Sequence, residues 1–246
     1  MFNPVITYVI GVIFIATLIR SSLGFGEALI SVPLLAMRIP ITIAAPLAVL
    51  ISVVVAAVIV VQDWRRVELR SASELILSSL PGIPIGVLLL ARGNEHVVKS
   101  LLGLIIVAFS IYSLARKTSR LPGKDHHGWL MACGFFSGVL GGAYGMNGPP
   151  LAIYGALRGW SPQHFRATLQ GYFLPASIAG LCGYWVAGLW TPEVSRFYLL
   201  SLPLVVVATF LGRGVNARIG AHRFARYVHG GLIAIGAILL SQAVTR

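Results

Sequence analysis

Gly138-Val-Leu-Gly-Gly-Ala-Tyr-Gly-Met-Asn-Gly-Pro-Pro150 interrupts a charge-free apolar run that extends from residue 129 to residue 157. Glycines, an aromatic and two prolines stand where a spanning helix would place Leu and Ile. A matching stretch lies earlier, Arg20-Ser-Ser-Leu-Gly-Phe-Gly-Glu-Ala-Leu-Ile-Ser-Val-Pro33. Backbone freed from a helix inside a bilayer must be buried in protein or line a cavity. Two such breaks at corresponding places in the two halves of a chain point to a transporter's binding site.

The rest of the sequence is built to surround those breaks with lipid. Of 246 residues, 57% are hydrophobic and 11% charged, against about a quarter charged in soluble proteins. Further charge-free runs cover residues 41–61, 75–91, 100–115, 167–190, 197–212 and 227–244. Several reach the roughly 20 residues that cross a hydrocarbon core. A soluble helical protein is excluded because no polar faces remain to meet water. The expected class is an all-α membrane protein with about eight transmembrane segments in a bilayer. The net charge of +12 would suggest nucleic acid in a soluble protein. Here the basic residues sit in short connections, so they read as orientation signals, and no nucleic-acid partner is expected. Residues 1–5 carry no Lys or Arg, and no convincing cleavage site follows, so the first helix is expected to stay uncleaved. Cys133 and Cys182 lie in apolar runs without metal-ligand neighbours and read as packed thiols; no metal or cofactor is expected.

Halfway along, the pattern restarts. Phe25-Gly26 corresponds to Tyr144-Gly145, Pro33 to Pro150, and Ser79-Leu80-Pro81 to Ser201-Leu202-Pro203, at offsets of 119, 117 and 122 residues. The order shared by these matches defines two homologous halves, residues 1–115 and 129–246, joined by a linker at 116–128. Basic residues then choose between parallel and inverted halves. Four full crossings per half distribute Lys and Arg nine to nine across the membrane. If instead the first segment of each half turns back at its break, one side holds thirteen, from Arg65 to Arg226, and the other five, Arg38, Arg92, Lys99, Arg196 and Arg246. Only the second arrangement obeys the positive-inside rule. It predicts inverted halves with a glycine/proline-broken first segment in each and both termini outside. Residues 5–19 would make about 22 Å of helix and Glu27–Ala36 less, as half-helices would. One long kinked, tilted helix is the alternative.

Several residues in the breaks could hold a ligand. Proline suits the first helical position, where its missing N–H would be unpaired anyway. Asn147 and Gly148 are acceptable caps before Pro149, so a half-helix is expected to start at Pro149. Another would start after Gly24-Phe25-Gly26. Two helix N-termini meeting in one place favour an anion, with Gly145 and Met146 in the same turn. The competing role for the glycines is close helix packing, which suits Gly141-Gly142-Ala143 better than Asn147-Gly148-Pro149-Pro150. Glu27 is the only acidic residue inside an expected membrane segment; it could carry a coupled proton, or simply cap its helix. Arg20, the only basic residue in the first break, could neutralise an anion or snorkel to an interface. Gln170, Tyr144 and Tyr172 could offer neutral hydrogen bonds or merely pack.

At these residues the sequence resembles the sulfite exporter TauE/SafE family of bacterial membrane permeases. The resemblance runs over almost the whole chain. It is carried by Gly24-Phe-Gly followed by Val32-Pro-Leu-Leu, by Leu80-Pro-Gly leading to Gly86, and by Ser137-Gly138 through Gly148-Pro-Pro-Leu. The second break departs from the commoner glycine-rich form, because Asn-Gly-Pro-Pro follows Tyr144-Gly145 closely. The resemblance implies transport of small sulfur-containing anions such as sulfite or organosulfonates across the bacterial inner membrane. The residues themselves point to a secondary transporter for a small anion, for which a proton or another ion is a candidate coupling partner. A passive channel shares those features. A membrane-embedded enzyme would need a nucleophile–base constellation that the apolar segments do not offer.

Overall fold

The computed structural model describes residues 4–23, 26–63, 69–115, 127–158, 160, 162–216 and 232–241. All the secondary structure among them is helical. The first half contains α1 (Pro4–Leu23), α2 (Glu27–Ala36), α3 (Ile41–Asp63), α4 (Leu69–Ser79), α5 (Gly82–Arg92) and α6 (Glu95–Ala115). The second contains α7 (His127–Tyr144), α8 (Gly148–Leu157), α9 (Pro162–Val186), α10 (Pro192–Asn216) and α11 (Leu232–Ser241). By length and composition α1, α3, α6 and α10 can each cross a bilayer, and α4 and α5, bent 45° to each other, make a fifth such unit.

The two breaks have the same anatomy. Each joins a longer helix to one of ten residues, α1 to α2 and α7 to α8. α2 doubles back along α1. The Tyr8 hydroxyl, near the start of α1, donates to the Leu34 carbonyl near the end of α2 at 2.7 Å. Arg38, just beyond α2, lies over the Tyr8 ring at 5.9 Å. Val9, Val12 and Ile13 share a buried cluster with Leu35 and Ile39. In the second half, Leu130 and Cys133 from the start of α7 likewise share a cluster with Leu151 and Tyr154 of α8.

The halves exchange partners. α1 packs on α10, while α7 packs on α4 and α5; α3 and α9 pair at the centre. Small residues permit the closest of these crossings. A Cβ on Gly82 or Gly86 of α5 would run into the backbone of α7 at Phe135 or Val139, and one on Gly138 or Gly142 would strike the backbone of α4 or α5. Helices in lipid gain association from such tight van der Waals contact, since lipid tails remove the hydrophobic drive between them. On the other side, Gly212 of α10 meets Leu18 and Ser21 of α1 in the same manner.

Two expectations change. α1 is not a 15-residue half-helix ending before Arg20; it continues to Leu23, about 30 Å in all. The helix passes through Arg20 because partners described below satisfy its charge. The Ser-Leu-Pro match also hides a difference: Ser79-Leu80-Pro81 forms the bend between α4 and α5, whereas Pro203 lies inside unbroken α10.

Candidate anion site between the two breaks

Gly26 has φ 98° and ψ 6°, and Gly145 has φ 67°. An L-residue with a Cβ is disfavoured there, whereas glycine enters at no steric cost. At the second break the positive φ closes α7: Gly145 N–H donates to Gly141 O at 2.8 Å and Met146 N–H to Leu140 O at 3.1 Å. The next carbonyl, of Asn147, accepts from Ser137 Oγ at 2.7 Å, and that hydroxyl lies 3.0 Å from the Tyr172 hydroxyl. At the first break the Gly26 carbonyl accepts the opening bond of α2 from Ile30 N–H at 3.2 Å.

The breaks face each other across one cavity. From the first half Arg20, Gly26, Glu27, Ala28 and Leu29 line it; from the second, Gly145, Met146, Asn147, Gly148 and Pro149. Ser52 of α3 and Phe173 of α9 complete the wall. Both short helices therefore begin at the cavity, where first-turn N–H groups lack partners within their own helix. Their supply of donors differs. Glu27, Ala28 and Leu29 each carry an N–H, but Pro149 and Pro150 carry none, leaving Gly148 alone among the first three positions of α8. The space open to the centre of a water molecule is ≈ 20 Å³, room for about one water. The cavity must widen to admit a larger ligand.

Charge in the cavity is concentrated on two side chains. Arg20 Nη1 donates to Glu27 Oε2 at 2.5 Å and to Ser52 Oγ at 2.7 Å. Both ionic side chains are 3% exposed. The guanidinium lies over the Phe173 ring at 5.2 Å to the centroid, a favourable contact for a cation out of water. Arg20 Nε and Nη2, Glu27 Oε1 and Asn147 Oδ1 are all buried without a hydrogen-bond partner. A native interior leaves few such atoms. Arg20, Glu27 and Asn147 thus bring unpartnered polar atoms to one cavity, while Thr17, Ser21, Ser31, Ser110, Thr168 and Ser201 carry others that do not line it. Among the described residues no three His, Cys, Asp or Glu side chains cluster.

Eight of the twelve residues expected at a site therefore line this cavity: Arg20, Gly26, Glu27, Gly145, Met146, Asn147, Gly148 and Pro149. Tyr144 points elsewhere, its hydroxyl donating to the Val98 carbonyl of α6 at 2.9 Å. Gly24, Phe25 and the Gln170 side chain lie outside the described residues. The α8 helix starts at Gly148, one residue before Pro149. Ser52 and Phe173 were not foreseen. Ser52 had a signal, since it is the one polar residue between Thr42 and Gln62. Phe173 had none, because one more aromatic in an apolar helix looks like packing.

The family model described as sulfite exporter TauE/SafE matches residues 9–239. A protein of Cupriavidus necator named as a probable sulfite/organosulfonate exporter, TauE, is 29% identical over 187 residues, covering 74% of this chain and 70% of the relative. No solved structure matches the chain.

Proposed function

The chain belongs to the sulfite exporter TauE/SafE family and is thus a multi-pass membrane transporter, and we propose that it is a secondary carrier for a small anion held between the two breaks. The name of the Cupriavidus relative favours sulfite or an organosulfonate as cargo and export as the direction. The observation that carries the reading is Arg20, a buried cation with two nitrogens free of partners in a cavity that two helix N-termini also face. Guanidinium N–H groups suit sulfonate or sulfite oxygens, which can accept two parallel bonds. The N-terminal ends of α2 and α8 add partial positive charge without adding a second buried cation.

The proposed topology has eight segments in two inverted halves: the α1–α2 hairpin, α3, α4–α5 and α6, then the α7–α8 hairpin, α9, α10 and α11. The return of α2 along α1, marked by the Tyr8–Leu34 hydrogen bond, supports it. A first segment that turns back is what the thirteen-to-five division of basic residues requires. In this arrangement both termini face away from the cytoplasm of the bacterial inner membrane.

Purified protein in liposomes tests the carrier. Sulfite or methanesulfonate uptake should saturate and show counterflow, and Gly148→Leu, which fills the space before α8, should abolish it while the protein still inserts. Flux that neither saturates nor exchanges would make the protein a passive channel instead.

A further inference from the structure

The cavity holds a cation together with its own anion. Glu27 Oε2 sits 2.5 Å from Arg20 Nη1, in the position an oxyanion ligand would take, and Glu27 Oε1 has no partner. A carboxylate and a sulfonate offer a guanidinium the same thing, oxygens that accept from its N–H groups. They compete for one partner.

Charge balance decides how that competition resolves. With the pair formed, the two side chains sum to zero. Seating a monoanion while Glu27 stays ionised would leave one uncompensated negative charge in a buried site, which is strongly unfavourable. The N-terminal ends of α2 and α8 supply only partial positive charge, and among the described residues that line the cavity no further charged side chain offsets it. α3 brings Ser52, α9 brings Phe173 and the second break brings Asn147, all uncharged. α6, which also packs on α2, has Glu95 and Lys99 already paired at 2.9 Å. Protonating Glu27 returns the sum to zero.

We infer that Glu27 is an internal stand-in for the transported anion, and that the cargo displaces it from Arg20 only when its carboxylate takes one proton from solution. Arg20 stays protonated throughout and changes partner. The site is neutral when empty, as guanidinium with carboxylate, and neutral when loaded, as guanidinium with monoanion and carboxylic acid. One proton accompanies each monoanion in the same direction, so export runs down the anion's own outward gradient and an inward proton gradient opposes it. Dianions are rejected, because a single proton leaves the loaded site negative. The inference rests on the anion-carrier reading above and adds its coupling ion and charge selectivity.

Binding of methanesulfonate to the purified full-length protein in detergent tests it, with a pH dye in weakly buffered solution counting protons. One proton should be taken up per anion bound, and affinity should fall about tenfold per unit rise in pH, as single-proton linkage demands. Sulfate should compete at least tenfold less well than methanesulfonate. In Glu27→Gln the affinity should become independent of pH. Binding by the wild-type protein without proton uptake overturns the inference whatever the variant does, and so does equal competition by sulfate. Failure of both methanesulfonate and sulfite to bind overturns the carrier reading itself, a separate result.

Discussion

Gly26 and Gly145 stand in the same left-handed backbone region, at φ 98° and 67°, and line one cavity from opposite halves of the chain. Their surroundings are unequal. A Cβ on Gly26 would meet nothing within 4 Å, whereas one on Gly145 would lie 2.7 Å from Val49 Cγ2. Gly26→Ala should therefore lose only the backbone cost, about 1–2 kcal/mol. Gly145→Ala should lose more, because Val49 in buried α3 must also shift. Unfolding in detergent micelles measures both, and equal losses would contradict the packing at Val49.

Removing one member of the Arg20–Glu27 pair strands the other. Arg20→Gln should cost about 3–5 kcal/mol, the range for breaking a buried ion pair from one side. Arg20→Gln combined with Glu27→Gln should recover at least half of that loss, yet anion counterflow should remain absent. A stable double variant that still exchanges methanesulfonate would remove Arg20 from the site.

Asn147 occupies room that exists only because Gly141 has no side chain: a Cβ at position 141 would fall on Asn147 Oδ1. Gly141→Ala should push the carboxamide into the cavity and reduce transport at least tenfold. Adding Asn147→Ala should restore the lost stability but not the transport. Recovery of transport in the double variant would show that the carboxamide only fills space.

Topology can be read by cysteine labelling. Cys182 is exposed and Cys133 buried, so both are replaced first. A cysteine at position 120 should then resist an impermeant reagent applied from outside, while one at position 38 should react. Reaction at 120 from that side reverses the orientation.

What could be read in advance, and what could not, follows from how far apart the partners are. The glycines announced themselves because a turn with positive φ in an apolar run admits almost nothing else. Arg20 and Glu27 stood out as rare charges in apolar stretches. Their union did not, because it depends on α2 folding back through Gly26, and no local pattern fixes that angle. Ser52 joins them from 32 residues away, and Phe173 from the other half. Tyr144 misled for the same reason: its place beside Gly145 says nothing about the direction of its hydroxyl, which Val98 settles. The Ser79 and Ser201 repeats matched as text while one segment bends and the other stays one helix; at the bend Pro81 is followed by Gly82, whereas Pro203 is followed by Leu204.

The Arg20–Glu27 pair also constrains biogenesis. An arginine at the centre of a spanning helix costs about 2.5–3.5 kcal/mol on insertion scales, Arg20 lies in the last turn of α1, and ten-residue α2 is too short to cross by itself. α1 is long and apolar enough to insert by itself, whereas α2 is not. Glu27 is therefore expected to enter the bilayer with α2 folded against α1, its charge joined to Arg20, with Ser52 of α3 completing the set.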